Sequence, residues 1–423
     1  MSINFYRVMR LSCVFFLSPL SSFAISSGEV TLAYVEKIAI ERSPELEKTS
    51  NYKSAFESAA VAASQLKDPK LQLGLLNVPT DSFSLNQENM TQFKVGIAQE
   101  FPSGKTLHFA SKAKKLMAET ERYKLNNKKS EIIRNVRLYW MELYYLLEAR
   151  KILEKNKKVF SYLVEVTTSK LSSGSGYQHD VLKSQIELTK IESLIMQNQE
   201  YIEQARVSLA RLIGEELARK LKPEEIPKWP NLMKQEYVLE KLKQHPLIQE
   251  SETLAQVAHA QLSVSKESYK PSWSAGIYYS ARQKNPSMNN QKRSDFIGIQ
   301  ISTELPFFTG SRQDKMVSES SSQYAAAKSQ SMIDYLDLKR QVAGYYANYT
   351  KLKNQEELYK KRLIAETKQY AESIMISYNN AQVESDMVLK AHNQVLNVDL
   401  QYLNIRAQKA QIRAQLLYLE ATL

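Results

Sequence analysis

The sequence predicts a mainly α-helical protein with a small membrane β-barrel portion, in which a helix, two strands and a long helical hairpin are built twice. Three observations carry this. Pro44 returns as Pro246, Pro69 as Pro271, Gly74 as Gly276 and Gly96 as Gly298, each pair 202 residues apart. The chain holds only 12 prolines and 11 glycines. These residues mark where a backbone breaks or needs unusual dihedrals, so a repeat written in them is a repeat of structure. The offset drifts to 204 for Pro102 and Pro306, and to 206 for Gly104 and Gly310. Second, no glycine or proline occurs from Lys105 to Ser173, a stretch that would span about 100 Å as one helix. Third, four short segments alternate apolar with small or polar residues, the period of a strand with two unlike faces.

Residues 1–24 read as a cleaved export signal. Arg7 and Arg10 supply charge, Leu11 to Leu20 is a short apolar stretch, and Ser22-Phe23-Ala24 is a small-x-small cleavage site. The apolar run falls short of the about 20 residues that span a bilayer. Cys13 lies inside that run, whereas a lipoprotein cysteine follows it. Cleavage removes the only cysteine and takes the formal charge from +12 to +10. The mature chain then has no thiol chemistry, and packing or assembly must hold it together. Acidic residues are interspersed with the basic ones along most of the chain, which reads as a solvated helical surface; with export, this speaks against nucleic acid as a partner.

The first repeat is expected over 25–213. A helical stretch from Tyr34 to Leu66 is interrupted at Ser43-Pro44 and ended by Pro69. Strands follow at about 70–77 and 92–100, with a polar loop between them, and the turn Pro102-Ser103-Gly104 leads into a helical hairpin over 105–213. Residues 214–235 form an inter-repeat equatorial segment with Pro223, Pro227, Trp229 and Pro230, either a belt outside the helices or a plain linker. The second repeat, 236–423, has a helix from Tyr237 to Tyr269 interrupted at His245-Pro246, strands at about 272–281 and 295–304, and a hairpin over 311–420. Gly344 is the only breaker in its outgoing helix. The return helices carry heptads. Leu188, Ile191, Ile195, Asn198, Ile202, Ala205, Leu209 and Leu212 form one seam; Leu396, Leu400, Leu403, Ala407, Ala410, Ala414 and Leu417 form the other. A 3.5-residue period points to a coiled coil, with an ordinary bundle core as the alternative.

No apolar run after residue 24 approaches a membrane helix, so a β-barrel is the remaining way into a bilayer. Four strands do not close a barrel, and open edges are not tolerated in lipid. Strands must come from other copies: three copies give twelve, two give eight. A conduit favours three. Phe93, Val95, Ile97, Ile297, Ile299 and Ile301 would face lipid, and Lys94, Gly96, Gln300 and Ser302 a wet lumen. The alternative is a soluble sheet capping a helical bundle.

With these features the chain resembles the TolC-like outer-membrane efflux proteins. The resemblance implies a homotrimer with a twelve-stranded barrel in outer-membrane lipid and an α-barrel in the periplasm of a Gram-negative cell. It also implies a role as exit duct of a tripartite system, with a periplasmic adaptor and an inner-membrane pump of RND type. Asp68-Pro69-Lys70-Leu71, Asn77-Val78-Pro79, Met90-Thr91-Gln92 and Gln99-Glu100-Phe101-Pro102-Ser103-Gly104-Lys105 most resemble the heavy-metal branch, of CzcC and CusC type. The CusC type usually carries a lipidated cysteine, absent here. Drugs or secreted polypeptide are the alternative cargoes, and a periplasmic coiled-coil adaptor or scaffold is the alternative of another class.

No nucleophile pairs with a base, so no enzyme is expected. His108, His179, His245, His259 and His392 form no His-x-x-x-His pair, and no metal or cofactor residue is assigned. Interest lies at the hairpin tips. Gly174, Gly176 and Tyr177 mark the first, Asn379 and Asn380 the second, and Asp180 and Asp386 follow their turns at an offset of 206. By the resemblance the tips dock the adaptor, and Asp180 and Asp386 line a constricted periplasmic mouth. The local alternative is that each caps or charges the first turn of its return helix. Lys183 and Leu389 stand where the family usually has a second acid.

Overall fold

The computed structural model describes residues 30–284, 291–380 and 382–421; the expected signal at 1–24 lies outside them. The first repeat opens with α1 (Leu32–Glu41) and α2 (Pro44–Ala62). Ser43 separates them: its side chain accepts from the Leu46 N–H, and Pro44 occupies the first helical position, where its missing N–H costs nothing and its fixed φ suits a helix. The second repeat builds the same joint from other residues. Before α7 (Pro246–Glu267), His245 takes the capping position, and its Nδ1 accepts from the Leu247 N–H at 3.3 Å.

The strands are β1 (Lys70–Leu76), β2 (Gln92–Phe101), β3 (Ser272–Ala281) and β4 (Phe296–Glu304). They form one antiparallel sheet in sequence order, so the two repeats meet at the β2–β3 pair. β1 and β4 are left as open edges.

After β2, Gly104 turns the chain with φ +47°. The Lys105 N–H then donates to Glu267 Oε2 at 2.7 Å, and Lys270 Nζ donates to the same carboxylate. The start of one repeat's hairpin is thereby tied to the end of the other repeat's helix. A Cβ at Gly104 would stand 2.0 Å from Glu267 Oε2, so the joint requires glycine on two counts.

From there α3 runs unbroken over Thr106–Ser172, 67 residues and about 100 Å. α4 (Gln178–Ile213) returns along it. In the second repeat α8 (Gln313–Leu358) passes through Gly344 without a break, and one π turn at Tyr359–Leu363 separates it from α9 (Ile364–Asn379). The π turn re-phases the buried stripe: Leu338, Val342 and Tyr346 above it, Thr367, Ala371, Ile374 and Tyr378 below. α10 (Ser385–Leu419) returns.

The core is a column of three clusters. One joins α1, α3 and α4 around Trp140, Met141 and Leu209, and includes Leu403 and Ala410 of α10. A second, toward the tips, packs Phe160 and Ile191 with Ile374, Val388 and Leu396. The third packs Ile248, Leu338 and Val342 with Leu416. The apolar members of the first heptad seam lie in the first two clusters, and so do Leu396, Leu400, Leu403 and Ala410 of the second; Asn198, the polar member of the first, donates to the Leu146 carbonyl at 3.2 Å.

The inter-repeat chain contains α5 (Glu215–Lys220) and α6 (Gln235–Lys241). It is pinned at Pro230 and Asn231, whose carbonyls accept from Arg413. Arg413 also forms a buried ion pair with Glu420 at 2.7 Å. No helix among the described residues is long and apolar enough to cross a membrane.

Candidate channel wall and hairpin tips

Register decides what each face of the sheet carries, because side chains alternate with period two. Leu71 pairs with Ile97, Ile97 with Ile277, and Ile277 with Ile299. The neighbouring row is Leu73, Val95, Tyr279 and Ile297. Phe93 and Ile301 lie on this same face, so all six apolar strand residues named from the sequence share it, joined by Leu71, Leu73, Leu75, Trp273, Ile277 and Tyr279. No described residue of the protomer covers it: Ile297, Ile299 and Ile301 are 75%, 75% and 72% exposed. Aromatic rings stand at both ends, Phe93 and Tyr279 at the loop end and Phe101 stacked on Trp273 at 4.1 Å at the helical end.

The opposite face holds Lys94, Gly96, Gln300 and Ser302 in rows with small residues. Lys70, Ala98, Gly276 and Gln300 form one row, and Gln72, Gly96, Tyr278 and Gly298 the next. Tyr278 was missed in the sequence. Its signal was the pair of glycines at one repeat offset, which leave room for a neighbouring ring.

The two tips are closed alike. In the first, the Ser175 N–H reaches back to the Lys170 carbonyl at 2.9 Å; in the second, the Gln382 N–H reaches Ser377 at 2.9 Å. Such a backward bond satisfies a carbonyl left over at a helix end. Gly174 supplies the positive φ, +74°, in the first turn. Gly176 follows, and Tyr177 is exposed and stacks on His179, ring centroids 5.3 Å apart. Asn379 ends α9 and Asn380 is its C-terminal cap.

Asp180 and Asp386 sit in the first turns of α4 and α10, and neither return helix has a side-chain cap. Their charge therefore acts on the helix dipole without a capping bond. The two have different partners. Asp180 accepts from the Ser385 hydroxyl, with His179 at 3.6 Å. Asp386 lies 2.6 Å from Lys390 Nζ and 3.7 Å from Lys183 Nζ; the Lys390 hydrogen bond holds its carboxyl below the usual range. Lys183 thus pairs across the repeats with the acid of the other tip. Higher up, Asn393 donates to Glu187 at 2.9 Å. Among the described residues no three His, Cys, Asp or Glu side chains form a group that could hold a metal ion.

Comparison with known proteins follows the same twofold plan. The outer membrane efflux protein family matches residues 36–215 and again 238–419. Among solved structures, the outer membrane protein VceC from Vibrio cholerae is 15% identical, covers 92% of this chain and 96% of its own, and has a TM-score of 0.78. CusC, described for its folding and transmembrane channel formation, is 15% identical over 93% of this chain and 92% of its own, with a TM-score of 0.75. The open-state MtrE outer membrane channel of Neisseria gonorrhoeae is 15% identical, over 92% and 88%, with a TM-score of 0.73. At this identity the likeness is one of fold. No curated protein matches the sequence.

Proposed function

The chain belongs to the outer membrane efflux protein family, and from that premise we propose that it is the exit duct of a tripartite system that expels heavy-metal cations. Members of the family are homotrimeric outer-membrane channels, not enzymes, that extend into the periplasm and work with a periplasmic adaptor and an inner-membrane RND pump. The periplasmic scaffold alternative falls with that membership.

The observation that carries the duct reading is the uncovered apolar face running in register across all four strands. Its open edges, β1 and β4, require partners in lipid. Three copies joined edge to edge turn the apolar face outward and the polar face onto a wet lumen. At the other end the tips receive the adaptor, and Asp180 and Asp386 stand around the periplasmic mouth. Since Lys183 and Lys390 hold Asp386, Asp180 is the less neutralised of the two acids.

Metal as cargo is supported by the resemblance around Asp68 to Leu71 and Gln99 to Lys105. Deleting the gene should sensitise cells to divalent or monovalent heavy metals and leave drug tolerance unchanged. Sensitivity to drugs alone, or a secretion defect, would replace the metal with those cargoes and leave the duct intact.

A further inference from the structure

The glycines that reveal the duplication also shape one spot on the polar face. Gly96 and Gly298 flank Tyr278 in a single row. A Cβ on Gly298 would stand 2.2 Å from Tyr278 Cζ, and one on Gly96 would stand 2.8 Å from Tyr278 Cβ. Both lie far inside contact distance, so the ring lies down over Gly298 only because that residue has no side chain. Lys94 of β2 completes the arrangement, with its Nζ 3.8 Å from the ring centroid. An ammonium over an aromatic face is held by the ring quadrupole.

The charge around it is uneven. The polar face of the four strands carries Lys70, Lys94, Glu100 and Glu304. Lys70 and Glu100 pair with each other. Lys94 has no carboxylate within ion-pair distance among the described residues, and residues 285–290 contain no acid. Glu304 is at the helical end of β4, opposite Ser272. The face therefore carries an unbalanced cation toward its loop end.

The geometry points to Lys94, seated on Tyr278, as a selectivity-determining residue: three copies form an ammonium ring inside the barrel that favours anions over cations. This rests on the reading of the polar face as lumen. Twelve strands about 4.8 Å apart and tilted about 40° enclose a wall of radius about 12 Å. The Debye length is about 10 Å at 0.1 M salt, so no solute crosses this level outside the field of the ring. Rings of charged side chains select by sign in this way. Such a ring repels bare cations, so the metal cargo proposed above crosses this level paired with anions.

The test is the reversal potential of the purified protein in planar bilayers under a potassium chloride gradient. Lys94→Gln should lower the anion-to-cation permeability ratio several-fold relative to the wild type, and Lys94→Arg should keep it. Gln300→Glu, on the same face, should lower the ratio whatever Lys94 does. If Gln300→Glu shifts the ratio and Lys94→Gln does not, the ammonium ring is overturned and the lumen reading stands. If neither shifts it, the polar face is not the lumen, and both readings fall.

Discussion

Arginine at Ile299 should block barrel assembly, whereas arginine at the adjacent Gln300 should not. Ile299 lies in the middle of β4, opposite Ile277 and in a row with Ile97 and Leu71. It is 75% exposed in the protomer, so lipid is what would cover it. An arginine facing lipid at the bilayer midplane costs about 2–4 kcal/mol per chain. Three chains bring about 6–12 kcal/mol to one barrel, which is at least about four orders of magnitude in the assembly equilibrium. Gln300 points the other way, beside Gly276 and Ala98, where a long side chain has room and water. The assay is the yield of unheated, electrophoretically intact oligomer in outer membranes at matched expression. Equal yields from the two variants would refute the face assignment, and failure of the Gln300 variant alone would invert it.

Three further outcomes follow from the helical part. His245 is 1% exposed, its Nε2 is 3.2 Å from the Tyr418 carbonyl, and burial lowers its pKa to about 4. A depressed histidine pKa means stability that is complete above the unfolded value near 6.5 and is lost as pH falls toward 4. Denaturant titrations should show up to about 3 kcal/mol per protomer disappearing over that window, and His245→Gln should flatten the slope. Glu420→Gln leaves Arg413 buried without its carboxylate, and should cost about 3–5 kcal/mol. Arg413→Met combined with Glu420→Leu should cost less than either single change, read from urea midpoints. At the mouth, Asp180→Asn should shift the reversal potential toward anions more than Asp386→Asn, because Lys183 and Lys390 already offset Asp386. Equal shifts would show that those lysines do not screen it.

The fold class was legible because its punctuation survives in the residues. Proline and glycine are tied to backbone geometry, so the duplicated unit shows through even where other residues differ: the joint at Ser43-Pro44 recurs as His245-Pro246. Period-two alternation separated the residues of the two strand faces for the same reason. Gly344 misled as a breaker, since one glycine costs a helix only about 1 kcal/mol and α8 absorbs it; the π turn at Tyr359–Leu363 lacks either marker. What stayed hidden depends on residues distant in the chain. Lys183 meets Asp386 only once the hairpins lie side by side, and Lys94 meets Tyr278 only through the β2–β3 register. Arg413 near the end of the last helix and Glu420 at its cap carry no sequence mark of burial, yet both are buried, with Arg413 bound to the inter-repeat chain.

An open four-stranded sheet in a membrane must close with copies of itself. The mass of the mature protein solubilised from outer membranes in mild detergent, with bound detergent subtracted, tests it most directly. The expected species is a complex of three chains that survives dilution. A stable monomer of the 48.6 kDa chain, less its signal, would contradict it, since β1 and β4 would then face lipid unpaired.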